Sequence, residues 1–345
     1  MKVFEGIRRI IFLGYFLMHI PITLLIDAQA SYFNPIPYPQ PLLNLMDWYS
    51  KTLKDVHFDR NEYEVWFQCL ITIELYLQMP YFVISSWMLL RTKYQTKTDI
   101  KGHFYPEWFR FVSLIYCSQA LTAILPILIY IYVNEDAHTC QKWIVLAVYS
   151  PFLIAPLALL SHIINSKNEK AILIQGEKTT ISISSNSSKT TMLQVLFLIH
   201  ILTFIVLDSK AIFPDSWYPQ PLLDIQEWYI TTIWKTSCLN SSSPPFWFQI
   251  FTFCKLLLQL PFSVKAIYIL QNNNNNETYP RWFQTSILLI GGHILTTMIP
   301  VMATHVINPM LSYLELSGIF IIYVIWILFP AWLIFSCITM EEENN

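Results

Sequence analysis

Two acidic residues lie at apolar stretches of this sequence where a charged side chain is costly. Asp27 directly follows the apolar run Ile10–Ile26, and Glu74 lies inside the run Trp66–Leu90. Because a carboxylate at membrane depth costs at least about 3 kcal/mol, it normally faces other helices and has a partner there. Two neighbouring carboxyls at low dielectric do not easily both ionise, so the pair predicts a pocket for a lipophilic amine or a sterol-like head group.

Helical spacing places further polar residues beside each acid. His19, Thr23 and Asp27 are four residues apart and share one helix face, and Glu74 and Gln78 share another. Packing the two faces together brings the acids into one pocket, with Asp27 ionised and Glu74 protonated and donating to it. In the alternative interpretation, Asp27 only ends a helix at the interface and Glu74 bonds to a neighbouring helix.

The elements that position these residues are membrane-spanning helices. Hydrophobic residues make up 54% of the chain and charged residues 13%, with a net charge of −2 that gives no indication of nucleic-acid binding. Lipid is therefore the expected solvent. Eight apolar runs are long enough to cross a bilayer: Ile10–Ile26, Trp66–Leu90, Phe111–Val133, Trp143–Ile164, Leu193–Leu207, Phe246–Leu270, Trp282–Val306 and Leu316–Met340.

The distribution of Lys and Arg predicts the orientation. These residues concentrate before the first span, between the second and third, and between the fourth and fifth, so both termini are expected in the cytosol. No small-residue cleavage site follows the first apolar run, which is therefore interpreted as a retained span rather than a signal peptide.

The chain is an internal duplication, because YPQPLL occurs at Tyr38–Leu43 and again at Tyr218–Leu223. The flanking sequence aligns as well: WFQCLITIELYLQMPYF matches WFQIFTFCKLLLQLPFS. Each half contains four spans, and an even number gives both halves the same orientation. The expected fold is an all-α membrane protein of eight transmembrane helices in two parallel four-helix bundles. The predicted domains are residues 8–165 and 191–340, joined by a Ser-, Thr- and Lys-rich cytosolic linker at 166–190.

The first half resembles the sigma-2-receptor branch of the EXPERA domain family. Four segments carry the resemblance across residues 8–164: YFLMHIPITLLIDAQA, WYSKTLKD, WFQCLITIELYLQMPYF and YSPFLIAPLALL. The resemblance implies two EXPERA-type bundles, each with a ligand pocket open toward the membrane. It also implies a location in the endoplasmic reticulum membrane, with the nuclear envelope as a second location. The eight histidines have no metal-ligand spacing, and neither a metal nor a cofactor is expected.

The resemblance further implies what is bound and where. Family members bind sterols and cationic amphiphiles and take part in cholesterol handling, which makes membrane lipid and a sterol-transport membrane protein expected partners. Asp27 would pair with the ligand amine, and Glu74 would be its hydrogen-bonding neighbour. An aromatic residue at such a position more often packs in the core than contacts a ligand. Only the resemblance assigns these aromatic residues to the ligand pocket. The remaining matched positions are His19, Tyr49, Phe67, Gln78, Thr122 and Tyr149.

The second half differs at the position of Glu74, where it has Lys255. We expect Lys255 to pair with Asp208, the counterpart of Asp27, in an ion pair that is hard to break without exposing an unpaired charge. The second pocket is then structural, or it accepts a neutral or anionic ligand, and Lys255→Glu should give it amine binding. Its other polar lining is Gln259, His293 and Thr296.

Two other functional classes are open at this point. Sterol isomerisation needs a placed acid and a placed base, and the family's isomerases supply acids from the second and third spans. The third span here, Phe111–Val133, has no acid or base, so an enzyme is not expected. A ligand-free chaperone or scaffold for another membrane protein is the other class, which co-purification would distinguish.

Glycosylation tests the predicted orientation. N-x-Ser/Thr sequons occur at Asn186, Asn240 and Asn276, and only Asn240 is expected in the lumen. Protein made in the presence of microsomes should therefore carry one glycan that endoglycosidase H removes and that Asn240→Gln abolishes. A glycan on Asn186 or Asn276 would contradict the orientation.

Overall fold

The chain folds into two units, Met1–Glu169 and Lys170–Asn345. The structure is a computed structural model, and it describes residues 2–33, 37–60, 63–91, 107–173, 181–182, 187–234, 244–272, 278–279, 281–307 and 311–342. Nearly all of these residues are helical.

Five α-helices make up the described part of the first unit. Short 3₁₀ turns follow the first helix, at Asp27–Ala30, and the second, at Val56–Phe58. The helices are α1 (Lys2–Leu25), α2 (Gln40–Leu53), α3 (Val65–Arg91), α4 (Glu107–Val133) and α5 (Thr139–Leu173).

The described part of the second unit repeats this order. Its 3₁₀ turns are Asp208–Ala211 and Asp215–Trp217, and two short strands, β1 (Ile181–Ser182) and β2 (Thr278–Tyr279), pair antiparallel. The helices are α6 (Ser187–Val206), α7 (Gln220–Tyr229), α8 (Phe246–Asn272), α9 (Arg281–Val306) and α10 (Tyr313–Glu342).

Eight helices are long and apolar enough to cross a bilayer, four in each unit. This confirms the predicted all-α, eight-span architecture. Helix α5 continues to Leu173 and α6 begins at Ser187, so both helices extend into the predicted linker at 166–190. The remaining linker residues, apart from β1, lie outside the described part of the chain. The parallel orientation of the two halves and the exact domain bounds stay predictions.

The repeated hexapeptide begins a helix in each unit. Pro39 and Pro219 are the residues before α2 and α7, and a second proline lies in the first turn of each helix, where a missing N–H costs nothing. The tyrosine hydroxyls point back to the end of the first span: Tyr38 Oη donates to the Leu24 carbonyl at 3.0 Å, and Tyr218 Oη donates to Ser209 Oγ at 2.8 Å. The motif therefore fixes a helix beside the acid that ends each first span.

Helices α3 and α8 each contain one π-helical turn, at Glu74–Gln78 and Lys255–Gln259. In both cases the first amide after the turn donates to the carbonyl five residues earlier. Pro80 and Pro261 lie two residues after the end of each turn, and proline removes a donor and crowds the preceding turn, which favours such widening. The wide turn begins at Glu74 or Lys255 and therefore sets where these two side chains lie.

Aromatic packing holds α1, α3 and α4 together in the first unit. Phe16 lies edge-on to Tyr81 with ring centroids 5.6 Å apart, and Tyr81 stacks on Tyr116 at 4.4 Å. Tyr81 Oη also donates to Ser113 Oγ at 2.9 Å. Such van der Waals and hydrogen-bond contacts are the forces that associate helices in lipid, where the hydrophobic effect between helices is absent.

Gly291 permits the close approach of α9 and α10 in the second unit. A Cβ atom at this position would lie 3.0 Å from Ile334 Cγ1 and 3.1 Å from Ile334 Cδ1. A Cβ atom at Gly318 of α10 would have no neighbouring atom within 4 Å. A small residue is therefore required by packing at the first position and not at the second.

Gly291→Leu is expected to destabilise the protein by about 1–3 kcal/mol, because added methylenes force a close-packed interface apart. Gly318→Leu is the matched control, and it should leave the melting temperature unchanged or raise it, since leucine is the better helix former. Thermal unfolding followed by tryptophan fluorescence measures both. Equal melting temperatures in the two variants would contradict the close approach.

Candidate ligand-binding site

A polar cluster lies between α1 and α3 in the first unit. His19 Nε2 is 3.1 Å from Glu74 Oε1, and Thr23 Oγ1 donates to the same oxygen at 2.6 Å. One ligating atom each of His19, Asp27 and Glu74 lies within 4.8 Å of the others. The structure thus brings the two acids together with the histidine that shares a helix face with Asp27.

Three local features position this cluster. Helix α1 presents His19 and Thr23, the 3₁₀ turn places Asp27, and the π turn places Glu74. Ser31, at the end of the 3₁₀ turn, bonds through its hydroxyl to that of Thr72 on α3 at 3.1 Å. The turn that carries Asp27 is therefore tied to the helix that carries Glu74.

The ring of His19 is held by aromatic neighbours and is 5% exposed. It stacks on Phe82 with centroids 4.2 Å apart and contacts Phe152 at 4.7 Å. Its Nδ1 atom is buried without a hydrogen-bond partner among the described residues. A neutral ring that donates from Nε2 to Glu74 leaves no buried N–H group without a partner. A protonated ring would also carry an N–H on Nδ1, and that group would be buried and unpaired.

The charge of the cluster depends on how the two carboxyls share protons. Two adjacent carboxyls at low dielectric do not easily both ionise. Glu74 Oε1 accepts from both Thr23 and His19, and hydrogen bonds of this kind favour the ionised form of a carboxyl. The expected proton on Glu74 and the single negative charge of the pair therefore stay predictions.

Asp55 forms a second buried centre, which the sequence analysis missed. It is 2% exposed, and its Oδ2 accepts from Tyr49 Oη at 3.1 Å and from Tyr149 Oη at 3.0 Å. Its Oδ1 accepts from the His57 amide at 3.1 Å. Burial and the charge of Asp55 raise the pKa of Tyr49, and Asp27 contributes further, so the two centres adjoin.

Asp55 was missed because it lies in a loop between spans among several other charged residues. The duplication contained a usable signal, because the hexapeptide register pairs Asp55 with Lys235, just as Glu74 pairs with Lys255. Lys235 itself lies outside the described residues. Two acids of the first half are thus replaced by lysine in the second.

The other predicted site residues separate into two groups. Phe67 belongs to the Asp55 centre, since it stacks on His57 with centroids 5.0 Å apart. Burial lowers the pKa of His57, whose Nε2 donates to the Ile127 carbonyl at 3.3 Å. Thr122 donates within its own helix to the Ser118 carbonyl at 2.7 Å, and Gln78 is buried at the end of the π turn.

In the second unit, Lys255 Nζ lies 2.7 Å from Asp208 Oδ2. The two side chains are 18% and 11% exposed, so this is a largely buried ion pair. Tyr229 and Tyr323, the counterparts of Tyr49 and Tyr149, approach each other directly with hydroxyl oxygens 3.4 Å apart. Burial raises the pKa of Tyr229 to about 12.

A small cavity of about 50 Å³, partly open to the exterior, lies at this ion pair. Gln259, His293 and Thr296 are buried, but they are not among the described residues that line it. Six lining residues are counterparts of the pocket positions expected in the first half: His200, Asp208, Tyr229, Phe248, Lys255 and Tyr323.

Fold and site together define a multi-span α-helical membrane protein with polar side chains at equivalent positions of its two halves. A family model described as EXPERA (EXPanded EBP superfamily) matches residues 41–163 and 221–337. The chain therefore belongs to the EXPERA family, with one such domain in each half.

Similarity to individual proteins extends over one domain length. The chain is 34% identical over 158 residues to Sigma intracellular receptor 2 of Xenopus tropicalis and 31% identical over 164 residues to that of Homo sapiens. In both cases the match covers 44% of this chain and 84% of the relative. It is also 28% identical over 160 residues to Efficient mitochondria targeting-associated protein 19 of Saccharomyces cerevisiae, covering 43% of this chain and 92% of the relative.

Asp55→Asn is expected to destabilise the protein by about 2–4 kcal/mol, because it removes a buried charged acceptor from two tyrosine hydroxyls at once. Asp47→Asn is the matched control. Asp47 pairs with Arg60 at 3.2 Å, with the Asp47 side chain 38% exposed, and such surface pairs contribute about 0–1 kcal/mol. Thermal unfolding should separate the variants clearly, and an equal small loss in both would show that Asp55 does not stabilise the unit.

Proposed function

We propose that the first half of this chain binds lipophilic amines and sterols in the endoplasmic reticulum membrane, and that the protein takes part in sterol handling. The observation that carries the proposal is the cluster of two carboxyls, Asp27 and Glu74, with the buried side chain of His19. The relatives named Sigma intracellular receptor 2, which match over one domain length, support a receptor-type role. A sterol-transport membrane protein is the partner that this role would require.

The binding mechanism follows from the charge of the cluster. The ammonium group of an amine pairs with the one negative charge that Asp27 and Glu74 carry when they share a proton. The interaction is strong because the site is buried and the effective dielectric is low. The hydroxyl of a sterol can donate to the same carboxylate without carrying a charge, so a sterol should compete for the site with lower affinity.

Binding without catalysis fits the distribution of acids and bases. Moving a sterol double bond needs a proton donor and a proton acceptor on separate carbon atoms. The acids of the cluster come from α1 and α3, and the span Phe111–Val133 in α4 contributes only neutral polar residues, among them Ser113 and Thr122. Ser113 and Thr122 both donate to carbonyls of their own helix, at 2.7 Å each.

A radiolabelled lipophilic amine tests the proposal on membranes that contain the full chain. Asp27→Asn should weaken binding about 30-fold or more, since it removes the charged partner of a buried pair. Glu74→Gln should also weaken it, because glutamine cannot share the proton. An unlabelled sterol should displace the amine from the wild type.

Asp47→Asn, which removes an exposed carboxylate of the same unit, is the control and should bind as the wild type does. Unchanged binding in both Asp27→Asn and Glu74→Gln would mean that the two acids are structural. Co-purification of the intact chain with other membrane proteins would then test the chaperone or scaffold function.

A further inference from the structure

The cavity of the second unit keeps the shape of a ligand site but changes its charge. Apolar side chains from all four spans of this unit contribute to its wall, including Leu207, Ile294, Met298 and Trp326. The Lys255–Asp208 pair lines the cavity together with His200, Thr203, Tyr229 and Tyr323. Apolar walls with a few polar groups are the form of site that can hold an amphiphile by its head group.

The two sites differ in the number of carboxyl and ammonium groups that the protein supplies. In the first half the protein supplies two carboxyls, Asp27 and Glu74, and lacks an ammonium group. In the second half the protein supplies one carboxyl, Asp208, and one ammonium group, Lys255, at the position of Glu74. The group missing from the second set is therefore a carboxyl.

We propose that the cavity of the second unit binds a lipid carboxylic acid, with its carboxyl between Lys255 and Asp208. The acid enters from the membrane in its neutral form and shares its proton with Asp208, while Lys255 stays protonated and pairs with the resulting carboxylates. Two carboxyls, one shared proton and one ammonium group then carry no net charge. Binding therefore adds no uncompensated charge to the buried site.

The same charge balance excludes a lipophilic amine. It would place a second cation beside Lys255, with Asp208 as the one anion of the pair. A long-chain alcohol cannot act as a counter-ion and must compete with an ion pair already formed at 2.7 Å. Head-group charge rather than chain shape should therefore decide binding.

The cavity, about 50 Å³ and partly open to the exterior, has room for a head group and not for a long chain. The chain of a bound acid would therefore extend out through the opening. A fatty acid and a steroid acid share the required head group, and the two can be compared directly as competitors.

The test uses the purified full chain in nanodiscs with radiolabelled palmitic acid as probe. Unlabelled palmitic acid, hexadecylamine, hexadecanol and cholanic acid are the competitors. We expect palmitic acid to compete at least tenfold better than hexadecanol, and hexadecylamine not to compete. Competition by cholanic acid at similar strength would assign the site to carboxylic lipids in general, and weak competition would restrict it to linear fatty acids.

Variants at Lys255 separate charge from folding. Lys255→Arg should retain palmitic acid binding, and Lys255→Glu should lose it and gain amine binding. Lys255→Met alone would leave Asp208 unpaired. The double variant Lys255→Met with Asp208→Asn is therefore the uncharged version of the site, and it should bind palmitic acid at least tenfold more weakly. Melting temperatures measured on the same samples establish that each variant is folded.

Equal competition by hexadecanol, or full acid binding in the neutral double variant, would overturn the proposal. Loss of acid binding in Asp27→Asn would also overturn it, because that result would place the acid in the first half. The proposal does not depend on amine binding to the first half, since the two sites are probed with different ligands and different variants.

Discussion

Each half of this protein depends on one carboxyl group that ends its first span at membrane depth. Asp27 and Asp208 each begin a 3₁₀ turn after that span, and each must be neutralised by a group from the next span. A π turn preceding a proline places this neighbour in both units, Glu74 in one and Lys255 in the other. The repeated hexapeptide and its tyrosine fix the same span end from the other side. The 3₁₀ turn and the π turn of each half thus bring the carboxyl group and its neighbour together.

The two halves meet this requirement differently. Asp27 has a carboxyl and a histidine as neighbours. Asp208 has an ammonium group 2.7 Å away, so its charge is already neutralised by the protein. This difference is the basis of the two proposals above, an amine or sterol in the first half and a lipid carboxylic acid in the second.

Much of this arrangement could be predicted from the sequence, because membrane helices have strong signals. Apolar length predicted the eight spans, and four-residue spacing placed His19 and Asp27 on one face. The π turns were not predicted: a proline permits a kink or a wider turn, and packing selects between them. Asp55 was missed because its partner Tyr149 lies 94 residues away, and only the folded chain brings them together. For the same reason the stacking of Phe67 on His57 was not predicted, and the place of Phe67 in a ligand pocket stays a prediction.

The most direct measurement of the central claim is an experimental structure of the full chain in lipid nanodiscs with a lipophilic amine bound. The account predicts that the amine nitrogen lies within about 4 Å of an Asp27 carboxylate oxygen, the distance of an ion pair, and that Lys255 and Asp208 remain paired. An amine nitrogen beside Asp208, or an amine bound elsewhere with the contacts of Asp27 and Glu74 unchanged, would contradict it.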